Sequence, residues 1–423
     1  MAFLEQYDGG DRATKVQFLR TWLAEKPKEL FDELRERRPI FASPLGVIVT
    51  KYTDVLEVLA RDQFFSVKLY APKIERIGGP FIIGMENTPQ YERDVSILRL
   101  AIPRGDLPSI RSFIADCVDQ LIQAALPQGK IDLANVSRVV PTRLIAHYFG
   151  VPGPDEATML RWSRSFFRDI FLNFEDDPVV REAALASSRE TRVYLDELIE
   201  HRQSEIKAGI ADKDDVLSRL LQMQQNPTTS LDNITIRNNL IAFLTAAIST
   251  TSEAIVNVID ELLRRPEQLA AARQAAFKND DELLTRYVNE ALRFKPQSPL
   301  IVRYCTQPCT IAKGTDRETH ISQQDNLVFV AHSSAMFDSS QLDDPEKFCV
   351  DRPDTDYLHF GYGMHTCFGR YISRIQITEV TKKLLCVKGL RRTAPDDQVR
   401  YDGPFPDSFI VELDVDNKNS IAC

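Results

Sequence analysis

The sequence predicts a mainly α-helical fold with a small β region. Three observations carry that expectation. Long stretches place apolar residues at helical spacing, runs rich in β-branched residues are few and short, and no repeat or low-complexity tract appears in the 423 residues. No Gly/Ser linker separates two parts, so one continuous domain over residues 1–423 is expected, with residues 1–29 as an extension packed on it. A chain of this length can bury a large core.

The elements follow in order. Gly46 to Lys51 (GVIVTK) reads as a strand, rich in β-branched residues. Asp106 to Ala125 reads as an amphipathic helix. Glu190 to Lys207 reads as another, with charge on one side and Val193, Leu195 and Leu198 on the other. Leu231 to Arg264 is the longest periodic stretch, with Ser230 and Asp232 as cap candidates and Pro266 as its stop. Glu267 to Phe277 and Asp280 to Phe294 follow as helices. The second ends ahead of Lys295-Pro296, because a residue before proline resists the helical conformation. Leu300 to Tyr304, Asn326 to Ala331 and Ser408 to Leu413 read as short strands, and Tyr371 to Leu385 as a helix.

Composition excludes several classes. The net charge of -9 argues against a general nucleic-acid binder. The N-terminal segment lacks a basic-then-apolar signal pattern, and no stretch holds the roughly 18 uninterrupted apolar residues of a membrane span. A cytoplasmic protein without a membrane anchor is expected. Seven scattered cysteines fit a reducing compartment with free thiols, and Cys305 and Cys309 are expected to pack rather than bind zinc.

The densest chemical signal is Phe360-Gly361-Tyr362-Gly363-Met364-His365-Thr366-Cys367-Phe368-Gly369, directly ahead of a helix. Glycines four and six residues before Cys367 allow a tight turn that aims a sulfur and backbone N–H groups at one point. Gly369 allows a flat ligand close to the backbone. A cysteine at a helix N-terminus is favoured as thiolate, the form that ligates a metal. Read on its residues alone, the loop fits equally a glycine-rich turn around a buried cysteine. Upstream, Glu290 and Arg293 stand three apart on one helix face and can pair.

The ten-residue loop closely resembles the heme-binding loop of the cytochrome P450 family, and every fixed position of that pattern is met. The resemblance implies the family's fold, with a long central helix over a heme and the thiolate loop beneath it. It implies heme b (iron protoporphyrin IX) with Cys367 as the iron ligand, His365 on a propionate and Phe360 shielding the sulfur. Glu290-Ala291-Leu292-Arg293 matches the family's Glu-x-x-Arg, and Arg352 fits the third member of a buried structural triad. Arg303 matches a propionate-binding arginine that the family often carries on the strand after that helix.

Thr245 to Thr251 resembles the family's oxygen-activating stretch. Ala246 and Ala247 let the helix pass over the heme, and Thr250 matches the proton-relaying alcohol. The sequence departs from the pattern at Ser249, where the family has an acid, and at Ala247, where glycine is usual. Ser249 can relay a proton but cannot supply one near neutral pH. Three chemistries stay open: a relay through Ser249, Thr250 and water, peroxide as oxidant, or rearrangement of an oxygenated substrate. The family's His-x-x-x-Arg near residue 90 is not met.

The resemblance thus implies a monooxygenase that inserts one oxygen atom of O2 into an apolar small molecule, with electrons from a ferredoxin or similar partner. Arg370, Arg374, Lys382 and Lys383 are candidates for the docking face. Substrate candidates are Leu244, Ala247 and Ile248 on the long helix, Leu300 and Ile301 on a strand, and Phe409 near the C-terminus, beside the segments Ser66 to Gly84 and Trp162 to Phe174. A peroxygenase or hydroperoxide isomerase is the alternative on the same fold. A non-catalytic heme-based sensor is the alternative of another class.

Overall fold

A computed structural model describes residues 2–210, 213–322, 327–394 and 398–414. By compactness the chain divides into two units, residues 1–69 with 289–368 and residues 70–288 with 369–423.

The first unit is built on a five-stranded sheet in the order Ile40–Ser43, Gly46–Val49, Leu327–Val330, Ile301–Cys305, Phe65–Ser66. Gly46–Val49 pairs parallel with Leu327–Val330, and the other neighbours pair antiparallel. Side chains alternate faces along a strand. Val47, Val49, Val328 and Val330 therefore enter one core with Val55, Val58 and Met336. Ile48 and Phe329 enter the opposite core with Leu19, Trp22, Phe31 and Leu34 of the N-terminal helices. The first helices lie on that second face because their apolar residues have the sheet to cover. Cys305 and Cys309 are free thiols within the first core, and burial pushes Cys309 up to about 12. Among the described residues no cluster of metal-ligating side chains forms. Asn326, at the start of one expected strand, lies outside the described residues.

His332 opens the short helix His332–Ala335 at the end of the sheet and is 2% exposed. Burial holds its imidazole down to about 4, against 6.5 in the unfolded chain. Between those values the unfolded chain binds the extra proton. Stability is therefore lost as pH falls from about 6.5 towards about 4, by at most about 3 kcal/mol for this group. Urea midpoints at pH 7 and pH 4.5 check this. His332→Gln is expected to narrow the gap between them, and an unchanged gap would remove His332 as a cause.

The second unit surrounds the helix Asn233–Leu263. Asp232 caps it by accepting from the Thr235 N–H at 2.7 Å, whereas Ser230 closes the preceding turn in the left-handed region. The helix is long and apolar enough to cross a membrane, but 72% of its apolar window is buried inside the structure. It packs on Leu133–His147 and Glu156–Phe167, so it is a core helix. Three short strands, Lys130–Asp132, Ile410–Glu412 and Arg391–Arg392, form a small sheet.

Two expectations are corrected here. The helix expected from Glu190 begins at Pro178, with Asp177 as its cap, and Val193 faces solvent at 59% exposed. Its buried stripe includes Ala184, Ser187, Ser188, Thr191, Leu195 and Ile199. Small residues dominate that stripe, so apolar periodicity understates its length and misassigns Val193. The expectation of free thiols throughout also fails, since Cys386 is disulfide-bonded, while Cys117, Cys305, Cys309, Cys349 and Cys367 are not. An odd count and wide spacing do not reveal which thiols fold together.

Candidate functional site

The cysteine loop lies in the first unit. Gly361 and Gly363 have φ of 73° and 74°, a region that side chains disfavour. A Cβ on Gly363 would also sit 2.4 Å from the Leu59 carbonyl oxygen, so that turn needs glycine twice over. Between the glycines and the helix Arg370–Leu385, the Cys367 N–H donates to the Phe360 carbonyl at 2.8 Å. This closes the loop and fixes the cysteine's backbone. Cys367 is a free, partly exposed thiol.

In the same unit lies a buried charge cluster. Glu290 and Arg293 are both 0% exposed. Arg293 donates to both carboxylate oxygens of Glu290, at 2.6 and 3.0 Å, and to the carbonyls of Met336, Pro345 and Lys347. Arg352 donates to Glu290 at 3.3 Å and to the Asp343 and Asp344 carbonyls at 2.8 Å each. The Tyr357 hydroxyl and the Cys349 N–H complete the carboxylate's shell at 3.0 and 2.9 Å. Burial and the Glu290 charge push the Tyr357 phenol up, so it remains a donor. Tyr357 stands three residues before Phe360, so the cluster anchors the segment leading into the loop. Tyr357 and Cys349 had no sequence signal. One is an ordinary tyrosine, and the other acts through its backbone.

Arg303 lies on the strand Ile301–Cys305, 5% exposed, with Nη1 on the Val302 carbonyl at 3.1 Å. Burial, then the Arg303 charge, holds His365 down to about 4, so its imidazole is neutral near pH 7. Leu300 and Ile301 are half-buried, and Ile301 reaches towards Gly361.

In the second unit the long helix turns its polar groups two ways. Thr250 Oγ1 donates back to the Ala246 carbonyl. Ser249 Oγ instead meets Ser163 Oγ at 3.1 Å, in the interface with Glu156–Phe167. Ala246 and Thr245 line an apolar cavity of about 20 Å³, with Ile241 and Ala242 on the same helix face. Ile74 and Ile77 on one side and Ile170 and Phe171 on another complete much of its wall. Leu244 and Ile248 do not line it, and both are fully buried. Phe409 is likewise core, 1% exposed, with the Arg392 guanidinium over its ring.

The cavity's cover is tied by polar bonds. Asp169, 0% exposed, accepts from Arg76 at 2.7 to 3.0 Å and from Asn173 at 2.9 Å. Ser188 and Arg192 donate to the Ile77 carbonyl. Arg76 and Asp169 are 93 residues apart, beyond any local signature. Of the expected docking residues, Lys382 pairs with Asp281 at 2.9 Å and Lys383 with Asp119 at 2.7 Å. Both charges are committed within the unit.

Comparisons with known proteins agree with this arrangement. A family profile described as Cytochrome P450 matches residues 180–386. Mycinamicin IV hydroxylase/epoxidase of Micromonospora griseorubida is 26% identical over 386 residues, 88% of this chain and 90% of that protein. Cytochrome P450 monooxygenase PikC of Streptomyces venezuelae is 28% identical, over 70% of this chain and 66% of that protein. The solved structure of CalO2 superposes with a TM-score of 0.78 over 92% of this chain and 96% of that one, at 22% identity. The chain belongs to the cytochrome P450 family.

This P450 is an oxidoreductase of the monooxygenase type, and the cofactor of its family is heme b. Its residues fit that group. Cys367 offers a reachable thiol at the head of a helix, the position that favours thiolate. Arg303 and the neutral His365 supply donors, and the charge acting on His365 is the cation of Arg303. Carboxylates such as the heme propionates are the partners that this donor set suits.

Proposed function

We propose that this P450 inserts one oxygen atom of O2 into an apolar small molecule, with electrons from a ferredoxin-like partner in the cytoplasm. The observation that carries the reading is the closed Cys367 loop, with the buried Glu290–Arg293–Arg352–Tyr357 cluster anchoring the segment that leads into it. When bound, the heme supplies the redox chemistry. The chain's own residues divide the remaining work. Cys367 would ligate the iron as thiolate, Phe360 would shield the sulfur, and Gly361 and Gly369 would let the group approach the backbone. Arg303 and His365 would hold the propionates. Ala246 would leave room for the group, and Thr250 and Ser249 would hold and pass protons. Glu290, Arg293 and Arg352 are structural. The aliphatic lining around Ile74, Ile77, Ile170 and Ile241 supports an apolar substrate. A relative named steroid C26-monooxygenase, from Mycolicibacterium smegmatis, 25% identical, is consistent with that class.

The reduced, carbon-monoxide-bound difference spectrum tests the ligand. A red-shifted Soret band supports Cys367 thiolate, and a bluer band or absent heme overturns it. A peroxide-driven reaction is the second reading. It is favoured by the long helix itself, where Ser249 replaces an acid and turns to Ser163 while Thr250 bonds back to its own helix. Thr250→Ala separates the two. For the O2 reading it is expected to cut product per NAD(P)H by about tenfold or more. If peroxide is the oxidant, peroxide-driven turnover stays at its original rate.

A further inference from the structure

We propose that a second, polar cavity in the 70–288/369–423 unit binds one small monovalent anion, of the size of chloride or formate. The cavity lies where the helices Leu133–His147 and Glu156–Phe167 meet the long helix Asn233–Leu263. It is lined by Arg138, Arg164, Ser249 and Ser252, with Leu160 and Ile248 among its apolar neighbours. Its volume is about 10 Å³, close to the space one water-sized occupant needs.

The charge balance favours an anion. Arg138 Nη1 and Arg164 Nη2 donate to the carbonyls of Asp407 and Pro406, at 3.0 and 3.2 Å, which use up donors but cancel no charge. Asp402 is the carboxylate nearest Arg164, at 4.0 Å. It is 58% exposed and is shared with Arg168 at 3.4 Å. Asp407 adds a weaker attraction. Burial and then the neighbouring Arg138 cation both lower the Arg164 pKa. Two guanidiniums thus line the pocket against an exposed, shared counter-charge at its rim. With Arg168 counted, three guanidiniums face the two carboxylates of Asp402 and Asp407, an excess of one positive charge that selects a monovalent ligand. Each guanidinium has five N–H groups, so donors remain for it.

The hydroxyls add direction. Ser137 Oγ donates to the Ala134 carbonyl at 2.9 Å, so its partner Ser252 must spend its own proton on Ser137, at 2.9 Å. Ser249 is placed differently. With Ser163 donating across their 3.1 Å contact, the Ser249 proton is left for a ligand in the cavity. The predicted ligand shell is Arg138, Arg164 and the Ser249 O–H. It concerns a different cavity from the apolar one and does not depend on the heme reading.

Crystals of the full chain soaked in sodium bromide test this directly. An anomalous peak between the Arg164 guanidinium and Ser249 Oγ is expected. The thermal midpoint, compared in sodium chloride, formate and gluconate at one ionic strength, is the second measurement. Chloride or formate at tenfold excess over its Kd is expected to raise the midpoint by about 1–2 °C over gluconate. A shift with formate alone supports a carboxylate as the ligand. Arg164→Leu is expected to abolish the difference, and Ser249→Asp, which supplies an internal carboxylate, to make the protein indifferent to the salt. A non-anomalous water at high bromide, together with equal midpoints in the three salts, overturns the proposal. If Arg164→Leu does not fold, the bromide soak of the unaltered protein decides alone.

Discussion

Glu290→Gln is expected to yield protein that is largely heme-free and poorly folded. The carboxylate is 0% exposed and accepts from Arg293, Arg352, Tyr357 and the Cys349 N–H. The amide removes the negative charge and turns one acceptor into a donor that faces other donors. Two arginines then remain buried or nearly so beside no counter-charge. Breaking a buried pair in this way costs about 3–5 kcal/mol, a large share of the 5–15 kcal/mol that holds an average domain. The damage is transmitted locally, because Arg293 and Arg352 also hold the carbonyls of residues 343–347. The ratio of Soret to protein absorbance and the urea midpoint measure both consequences. Glu290→Asp keeps the charge at a shorter reach and is expected to fall between the two. Normal heme content in Glu290→Gln would remove the cluster from its supporting role.

Cys367→Ser is expected to do the reverse, leaving the fold and removing the chemistry. The loop's shape rests on Gly361, Gly363 and the backbone bond from residue 367 to Phe360, none of which uses the sulfur. Stability should stay within about 0.5 kcal/mol. The red-shifted carbon-monoxide band should disappear, and oxygenase turnover with it. Retention of that band in Cys367→Ser would exclude this cysteine as the ligand. Together the two variants separate support of the site from ligation.

The loop and the Glu290–Arg293 pair were legible because their geometry is local. Glycines two residues apart and carboxylate and guanidinium three apart are spacings set by the backbone. Asp232 as helix cap and the Pro266 stop were legible for the same reason. Tyr357, the Cys349 amide and the Arg76–Asp169 pair were not, since each meets its partner only after tens of residues have folded between them. The long helix shows the limit within one element. Its existence follows from periodicity, but which of its faces meets the apolar cavity depends on neighbours that periodicity does not name. Leu244 and Ile248 look like better cavity liners than Ala242 and Thr245, yet the latter pair lines it.

The polar ties over the apolar cavity carry a thermodynamic signature of their own. Ile74, Ile77, Ile170 and Phe171 reach the cavity from segments fastened by Arg76–Asp169 and by bonds to the Ile77 carbonyl. Parting those segments would hydrate the charged and amide contacts and the aliphatic side chains of the wall together. Hydration of polar surface lowers heat capacity and hydration of apolar surface raises it. Admission of a guest should therefore show a near-zero heat-capacity increment for the opening itself, with the negative increment confined to the burial of the guest. An Eyring plot of the opening rate would be close to straight, and raised ionic strength would quicken it.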